Sequence, residues 1–223
     1  MNYICTNRPI ETAAKDLADK LFEYLSDGKR VLLLMSGGSS IPIAILASKV
    51  LKGVDLSNLF VSLTDERYGA VGHTDENWQQ LINDGLDLPG ANLYRPLINK
   101  NIDETTRLFG DWVAEQSDKA DYSVGIFGLG TDGHTAGIKP GSAAAKSTNL
   151  VTSFQGDDFE RITIGFAAIS RLDEAIIQAS GTDKQQIIHD LIHHSSTIQD
   201  QPAQILSKIP HSTIYTNNPK EEL

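Results

Sequence analysis

Arg30-Val31-Leu32-Leu33-Leu34-Met35-Ser36-Gly37-Gly38-Ser39-Ser40 is the stretch from which the fold is read. After Arg30 the run is continuously apolar, without the alternation of a half-exposed strand, so it reads as a strand buried on both faces. It stops at Ser36-Gly37-Gly38. Residues 42–52 then carry apolar side chains at helical spacing and end at Gly53.

The rest of the chain repeats that alternation. Residues 59–63 read as a second buried strand, ending in Thr64-Asp65-Glu66-Arg67, and residues 122–127 as a third, running into the glycine-rich stretch 128–141. Residues 161–166, 175–179 and 213–216 are further strand candidates. Residues 76–86, 103–116 and about 182–194 read as helices. No element is assigned before residue 30. Strands alternating with helices imply crossover connections and an α/β fold, a mainly parallel sheet covered on both faces. No low-complexity segment, long linker or fixed repeat divides the chain, so residues 1–223 read as one domain. Ligands of such sheets bind beyond the carboxyl ends of the strands, and the three most unusual segments lie there.

Bulk properties narrow the class. With 40% hydrophobic and 22% charged residues over 223 positions, the chain can bury a core without disulfide or metal staples. Its one cysteine, Cys5, has no intrachain partner, which suits a reducing cytosol and a cytoplasmic location. No secretory signal opens the sequence, and the longest apolar run is too short to cross a bilayer, so no membrane association is expected. The formal net charge of −10 argues against nucleic acid as a partner. An anionic ligand would have to be held by a few local cations and backbone N–H groups against that field. The motifs leave the oligomeric state open.

Three segments carry chemistry. Ser36-Gly37-Gly38-Ser39 lets the backbone approach a ligand while serines and helix-leading N–H groups offer donors; an oxyanion such as phosphate is the natural guest. A plain capped turn would use the same residues, and the Gly-Lys-Ser/Thr ending of a Walker loop is absent. In Thr64-Asp65-Glu66-Arg67, the planar guanidinium of Arg67 suits phosphate or carboxylate, and one of the two acids serves to orient it or to form a surface ion pair. In Gly128-Leu129-Gly130-Thr131-Asp132-Gly133-His134-Thr135-Ala136, His134 can take a proton from water and return it, Asp132 can hold the ring or contact substrate, and the glycines bring N–H groups close to an oxyanion. Trp78 and Trp112 read as packing residues, and residues 220–223 as a solvated tail.

Taken together, Ser36-Gly37-Gly38-Ser39, Thr64-Asp65-Glu66-Arg67 and the Asp132-Gly133-His134 segment, followed by Arg161-Ile162-Thr163 and Gly181-Thr182-Asp183-Lys184, resemble the 6-phosphogluconolactonase family in order and spacing across residues 31–191. The resemblance implies a Rossmann-like fold shared with glucosamine-6-phosphate deaminases and, more distantly, ribose-5-phosphate isomerases. It also implies hydrolysis of 6-phospho-D-glucono-1,5-lactone to 6-phosphogluconate in the pentose phosphate pathway, with no metal or cofactor. By position, His134 corresponds to the histidine that activates water, and Arg67 and Lys184 to the cations that hold the phosphate. The serine-glycine turn would line the pocket, with Asp65, Gly130 and Arg161 as further substrate contacts. The chain departs from the pattern at Gly137-Ile138-Lys139, where the family usually has Ser-Leu-Phe, and at Glu76-Asn77, where Ser-Asn is common.

Two rival readings use other residues. A deaminase of the same fold would carry Asn-Glu where this chain has Ile138-Lys139, so its proton-transferring carboxylate is missing. His189-Asp190-Leu191-Ile192-His193 approximates the His-Glu-x-x-His of zinc hydrolases, with His194 and His211 as spare nitrogens. A solvated polar helix face accounts for the same residues.

Overall fold

The computed structural model describes residues 1–156, 158–194 and 196–219; the tail at 220–223 lies outside the described residues. The chain opens with β1 (Asn2–Cys5) and α1 (Pro9–Ser26), which the sequence reading leaves unassigned. Their signal is nevertheless present. Pro9 takes the first helical turn, where its missing N–H is not needed, and Ala13, Ala14, Leu17, Ala18, Leu21 and Leu25 fill one buried helical stripe.

Next come β2 (Val31–Met35), α2 (Ile41–Val50), β3 (Leu59–Leu63), β4 (Asp65–Arg67), α3 (Asn77–Asn83), β5 (Asn92–Leu93), α4 (Ile102–Lys119) and β6 (Tyr122–Gly128). After them follow β7 (Val151–Gln155), β8 (Glu160–Ile164), α5 (Phe166–Ile169), β9 (Glu174–Gln178), α6 (Gln185–His193) and β10 (His211–Thr216). Seven strands form one sheet in the order β1-β10-β9-β6-β2-β3-β5, and every pairing in it is parallel.

The central run decides this arrangement, as its composition requires. Val31, Leu33 and Met35 pack into the core beneath α1 and α2, while Leu32 and Leu34 pack into the opposite core with Phe109 and Val113 of α4. Each such side chain contributes about 1.5–3 kcal/mol on burial, so the run has no solvent face on which a polar residue could stand. From β2 the chain steps to β3 on one side and later returns to β6 on the other. The carboxyl ends of β2 and β6 therefore flank a topological switch point, the crevice where ligands of open α/β sheets bind.

One expectation needs correcting. Residues 65–67, expected as the end of the strand at 59–63, and the strand candidate at 161–166 fall outside the parallel sheet: β4, β8 and β7 make a separate antiparallel sheet in that order. The reason is connection length. Only residues 156–159 lie between β7 and β8, far too few for the crossover that a parallel pair needs. The chain passes from β3 to β4 through Thr64 alone, whose N–H donates to Met35 O (2.9 Å) and whose carbonyl accepts from Ile164 N–H (2.8 Å). The small sheet thus stands at the carboxyl edge of the large one and walls the crevice.

Glu66 fastens this wall to α3. Fully buried, it accepts the N–H groups of Arg67 (2.8 Å) and Asn77 (2.7 Å) on Oε1 and that of Trp78 (3.0 Å) on Oε2. Of the two acids in the motif, this one is a structural staple rather than a surface ion-pair partner. Burial pushes its carboxyl up to about 8, against the pull of those three donors. Because both oxygens accept N–H bonds, Glu66→Gln must turn an amide NH2 onto a donor; a loss of about 1–3 kcal/mol in urea-unfolding stability is expected. An unchanged unfolding midpoint would show that the staple carries no weight.

Candidate active site

The eleven residues singled out in the sequence (Ser36, Gly37, Gly38, Ser39, Asp65, Arg67, Gly130, Asp132, His134, Arg161 and Lys184) all line one cleft of about 450 Å³ at the switch point. Asn77, Lys139 and Asp158 join them.

The turn after β2 works through its main chain more than its hydroxyls. Ser36 Oγ donates to Ile126 O (2.7 Å) and Ser39 Oγ to Gln178 Oε1 (3.1 Å), so both side chains tie neighbouring strand ends together. Gly38 has φ +63°, a conformation that costs most residues but not glycine. A Cβ on Gly37 would run into the Asn77 side chain. What the turn offers a ligand is the leading N–H groups of the 3-10 turn (Gly38–Ser40) and of α2.

His134 and Asp132 are locked to each other. Asp132 Oδ1 lies 2.6 Å from ring Nδ1 of His134 and also accepts the His134 main-chain N–H at 3.1 Å. A carboxylate only accepts, so Nδ1 carries the ring proton and Nε2 keeps its lone pair in the neutral ring. Burial works against the charged form of Asp132, but the bonds from His134 outweigh it and hold the carboxyl below its ordinary range. Gly130 belongs to this device in a way that the sequence does not reveal. Its N–H donates to His134 O (2.9 Å), so it is not an oxyanion donor, and a Cβ there would collide with the His134 ring and the Asp132 carboxylate.

The cations line the same cleft. Arg67 donates from Nη1 to Asp75 O (3.1 Å), and its buried Nε has no hydrogen-bond partner. Lys184 lies 3.5 Å from Asp183. Arg161, expected to reach ligand or to pair with an acid, here pairs with Asp158, and its Nη1 stands 3.9 Å from Asp65 Oδ2. Burial raises the carboxyl of Asp65, opposed by Arg161, by Thr64, whose hydroxyl donates to it at 3.0 Å, and by His134 and Arg67.

At the two departures from the family pattern, Glu76 is buried and gripped by Arg95 through both oxygens (2.6 and 2.5 Å), while Asn77 lines the cleft and donates to Asp65 O (3.0 Å). Lys139 also lines the cleft, above buried Ile138. Asp158 carried no signal in the sequence, since an acid in a polar turn reads as a solvated residue.

The zinc reading finds little support in the side chains. The rings of His189 and His193 are 4.4 Å apart, but among the described residues no group of three or more His, Cys, Asp or Glu is placed to hold a metal ion. Asp190 accepts instead from Gln186 (2.8 Å) and Gln201 (3.0 Å). No helix among the described residues is long and apolar enough to cross a membrane.

Comparison with known proteins places this geometry in context. A family model described as Glucosamine-6-phosphate isomerases/6-phosphogluconolactonase matches residues 6–215. A 6-phosphogluconolactonase of Helicobacter pylori (strain J99) is 26% identical over 221 residues, covering 94% of this chain and 96% of its own length. A glucosamine-6-phosphate deaminase of Pseudarthrobacter chlorophenolicus is 25% identical over 227 residues, covering 93% and 86%. Among solved structures, a 6-phosphogluconolactonase from Thermotoga maritima superposes with a TM-score of 0.83 at 17% identity, covering 96% of this chain and 98% of that one, a likeness of fold.

Proposed function

The chain belongs to the glucosamine-6-phosphate isomerase/6-phosphogluconolactonase family, and on that premise we propose that it is a 6-phosphogluconolactonase, a hydrolase that opens 6-phospho-D-glucono-1,5-lactone to 6-phosphogluconate. The observation that carries the reading is the Asp132–His134 pair, 2.6 Å apart, in the same cleft as Arg67 and Lys184. A single-domain organisation over residues 1–223 and a cytoplasmic location belong to the same proposal.

His134 Nε2 takes a proton from water as that water attacks the lactone carbonyl carbon. Asp132 keeps the ring in the required tautomer and stabilises the imidazolium that forms. The carbonyl oxygen becomes an oxyanion, met by the N–H groups leading the turn at residues 36–40. As the tetrahedral intermediate collapses, the bond to the ring oxygen breaks and the imidazolium returns its proton to the departing hydroxyl. Arg67 and Lys184 grip the phosphoryl group, and that remote binding energy places the reacting carbon.

The deaminase reading, carried by part of the family, is less well served: where its pattern has a carboxylate, this cleft has Lys139. An assay that separates the two supplies freshly made lactone, corrected for spontaneous opening, and in parallel glucosamine 6-phosphate with ammonia detection. Accelerated lactone opening without ammonia release is expected; ammonia release without lactone opening would reverse the assignment. Within the lactonase reading, Arg67→Ala should raise KM about tenfold or more with kcat little changed, as lost ground-state binding does. A fall in kcat at constant KM would move Arg67 from gripping the substrate to stabilising the transition state.

A further inference from the structure

Arg67 and Arg161 are register partners across the antiparallel β4–β8 pair. Like charges placed directly opposite each other on a sheet repel, yet these two share one platform: their guanidinium carbons lie 5.2 and 5.9 Å from the centroid of the Phe159 ring. Both have a buried Nε without a hydrogen-bond partner. Two guanidiniums side by side, each with donor capacity unspent, form a cradle for an anion.

Two carboxylates already stand at that cradle: buried Asp65, whose Oδ2 is 3.9 Å from Arg161 Nη1, and the more exposed Asp158. Asp158, between β7 and β8, accepts from Arg161 Nη2 on both oxygens (3.1 and 2.8 Å) and stands 3.9 Å from Lys139 Nζ. Its side chain is 46% exposed, whereas that of Arg161 is only 13% exposed. Arg161 is therefore held by the surrounding structure, and Asp158 is the partner that can be displaced. Arg67, by contrast, has no carboxylate within ion-pair distance among the described residues, its Nη1 being turned to the carbonyl of Asp75.

We propose that Asp158 is a tethered counter-anion: it offsets the repulsion within the Arg67–Arg161 pair until a phosphoryl group displaces it, and so sets how tightly the cleft grips phosphorylated ligands. This rests on the reading that the cleft takes a phosphorylated sugar. It makes Arg161 a second guanidinium of the phosphate grip and Asp158 a determinant of affinity that makes no productive contact with substrate. An incoming phosphoryl group must take Nη2 from Asp158 and endure the charge of the displaced carboxylate nearby. Removing that charge removes both penalties.

The test titrates inorganic phosphate into the full-length chain by calorimetry, for wild type, Asp158→Asn, Asp158→Ala, Arg161→Ala and the Asp158→Asn/Arg161→Ala double variant, with thermal melting as the control for folding. Asn keeps an Oδ1 that can accept the Phe159 N–H bond now made at 2.9 Å. Both single substitutions of Asp158 are expected to tighten phosphate binding about three- to tenfold, the scale of one partly screened ion pair. The gain should vanish when Arg161 is also removed. Weaker or unchanged binding in both Asp158 variants would overturn the proposal, since a carboxylate that merely orients Arg161 gives that result, and so would a gain that survives the loss of Arg161. Phosphate affinity is read without turnover. Tighter binding in a chain that opens no lactone would sink the proposed activity and leave this inference standing; turnover without the affinity gain would do the reverse.

Discussion

His134→Ala is expected to lower kcat for lactone opening about 10²–10⁴-fold, the usual contribution of a positioned general base, while KM stays near the wild-type value. The split follows from the geometry. The imidazole is held by Asp132 through Nδ1, and Arg67 and Lys184, the cations proposed to grip the phosphate, are carried by other elements, β4 and the 3-10 turn (Thr182–Lys184). Removing the ring therefore removes proton transfer and leaves the grip. A residual rate above that of water is also expected, because the oxyanion donors and the grip on the substrate survive. Retention of full activity would take His134 out of its role.

The second large effect needs no change to either member of the pair. Gly130→Ala puts a methyl group where the His134 ring and the Asp132 carboxylate now pack. The φ of Gly130 lies outside the left-handed region, so alanine brings no backbone strain there. The side chains must give way instead, and both end near solvent, so swinging outward costs little stability. What breaks is the 2.6 Å contact that sets the tautomer and aims Nε2. A displacement of about 1 Å in a catalytic group can cost 10²-fold, and Gly130→Ala should lose kcat on that scale while its unfolding free energy stays within about 0.5 kcal/mol of wild type. If kcat is unaffected, the close fit of glycine against imidazole has no catalytic meaning. If the fold collapses, the strain is structural rather than catalytic.

How much of this was legible before any coordinates depended on whether a residue's role was local. The run at residues 31–35 could only be a strand buried twice, and the parallel sheet followed from it. The cleft was legible because its glycines, its histidine and its arginine are unusual residue types at strand ends, and chemistry selects them there. The antiparallel sheet was missed because residues 65–67 and 161–166 show strand character without stating their partner. The deciding fact was the short link between β7 and β8, and β7 itself had gone unassigned. Residues 1–29 differ in kind, since the apolar stripe of α1 is present in the sequence at plain helical spacing. Some residues line the cleft in a way that their residue type does not reveal. Ser36 and Ser39 spend their hydroxyls on neighbouring strand ends, and Gly130 makes room for an imidazole rather than lending its N–H. Asp158 had no local signature, because what makes it matter is a pair of arginines brought together by cross-strand register.

The protonation pattern of one ring tests the account at its root. In protein labelled with 15N at histidine, the neutral form of the His134 ring should report a proton on Nδ1 and a bare Nε2, and adding 6-phosphogluconate should shift the Nε2 signal. A proton resident on Nε2, or a ring indifferent to the ligand, would leave water without a base in this cleft.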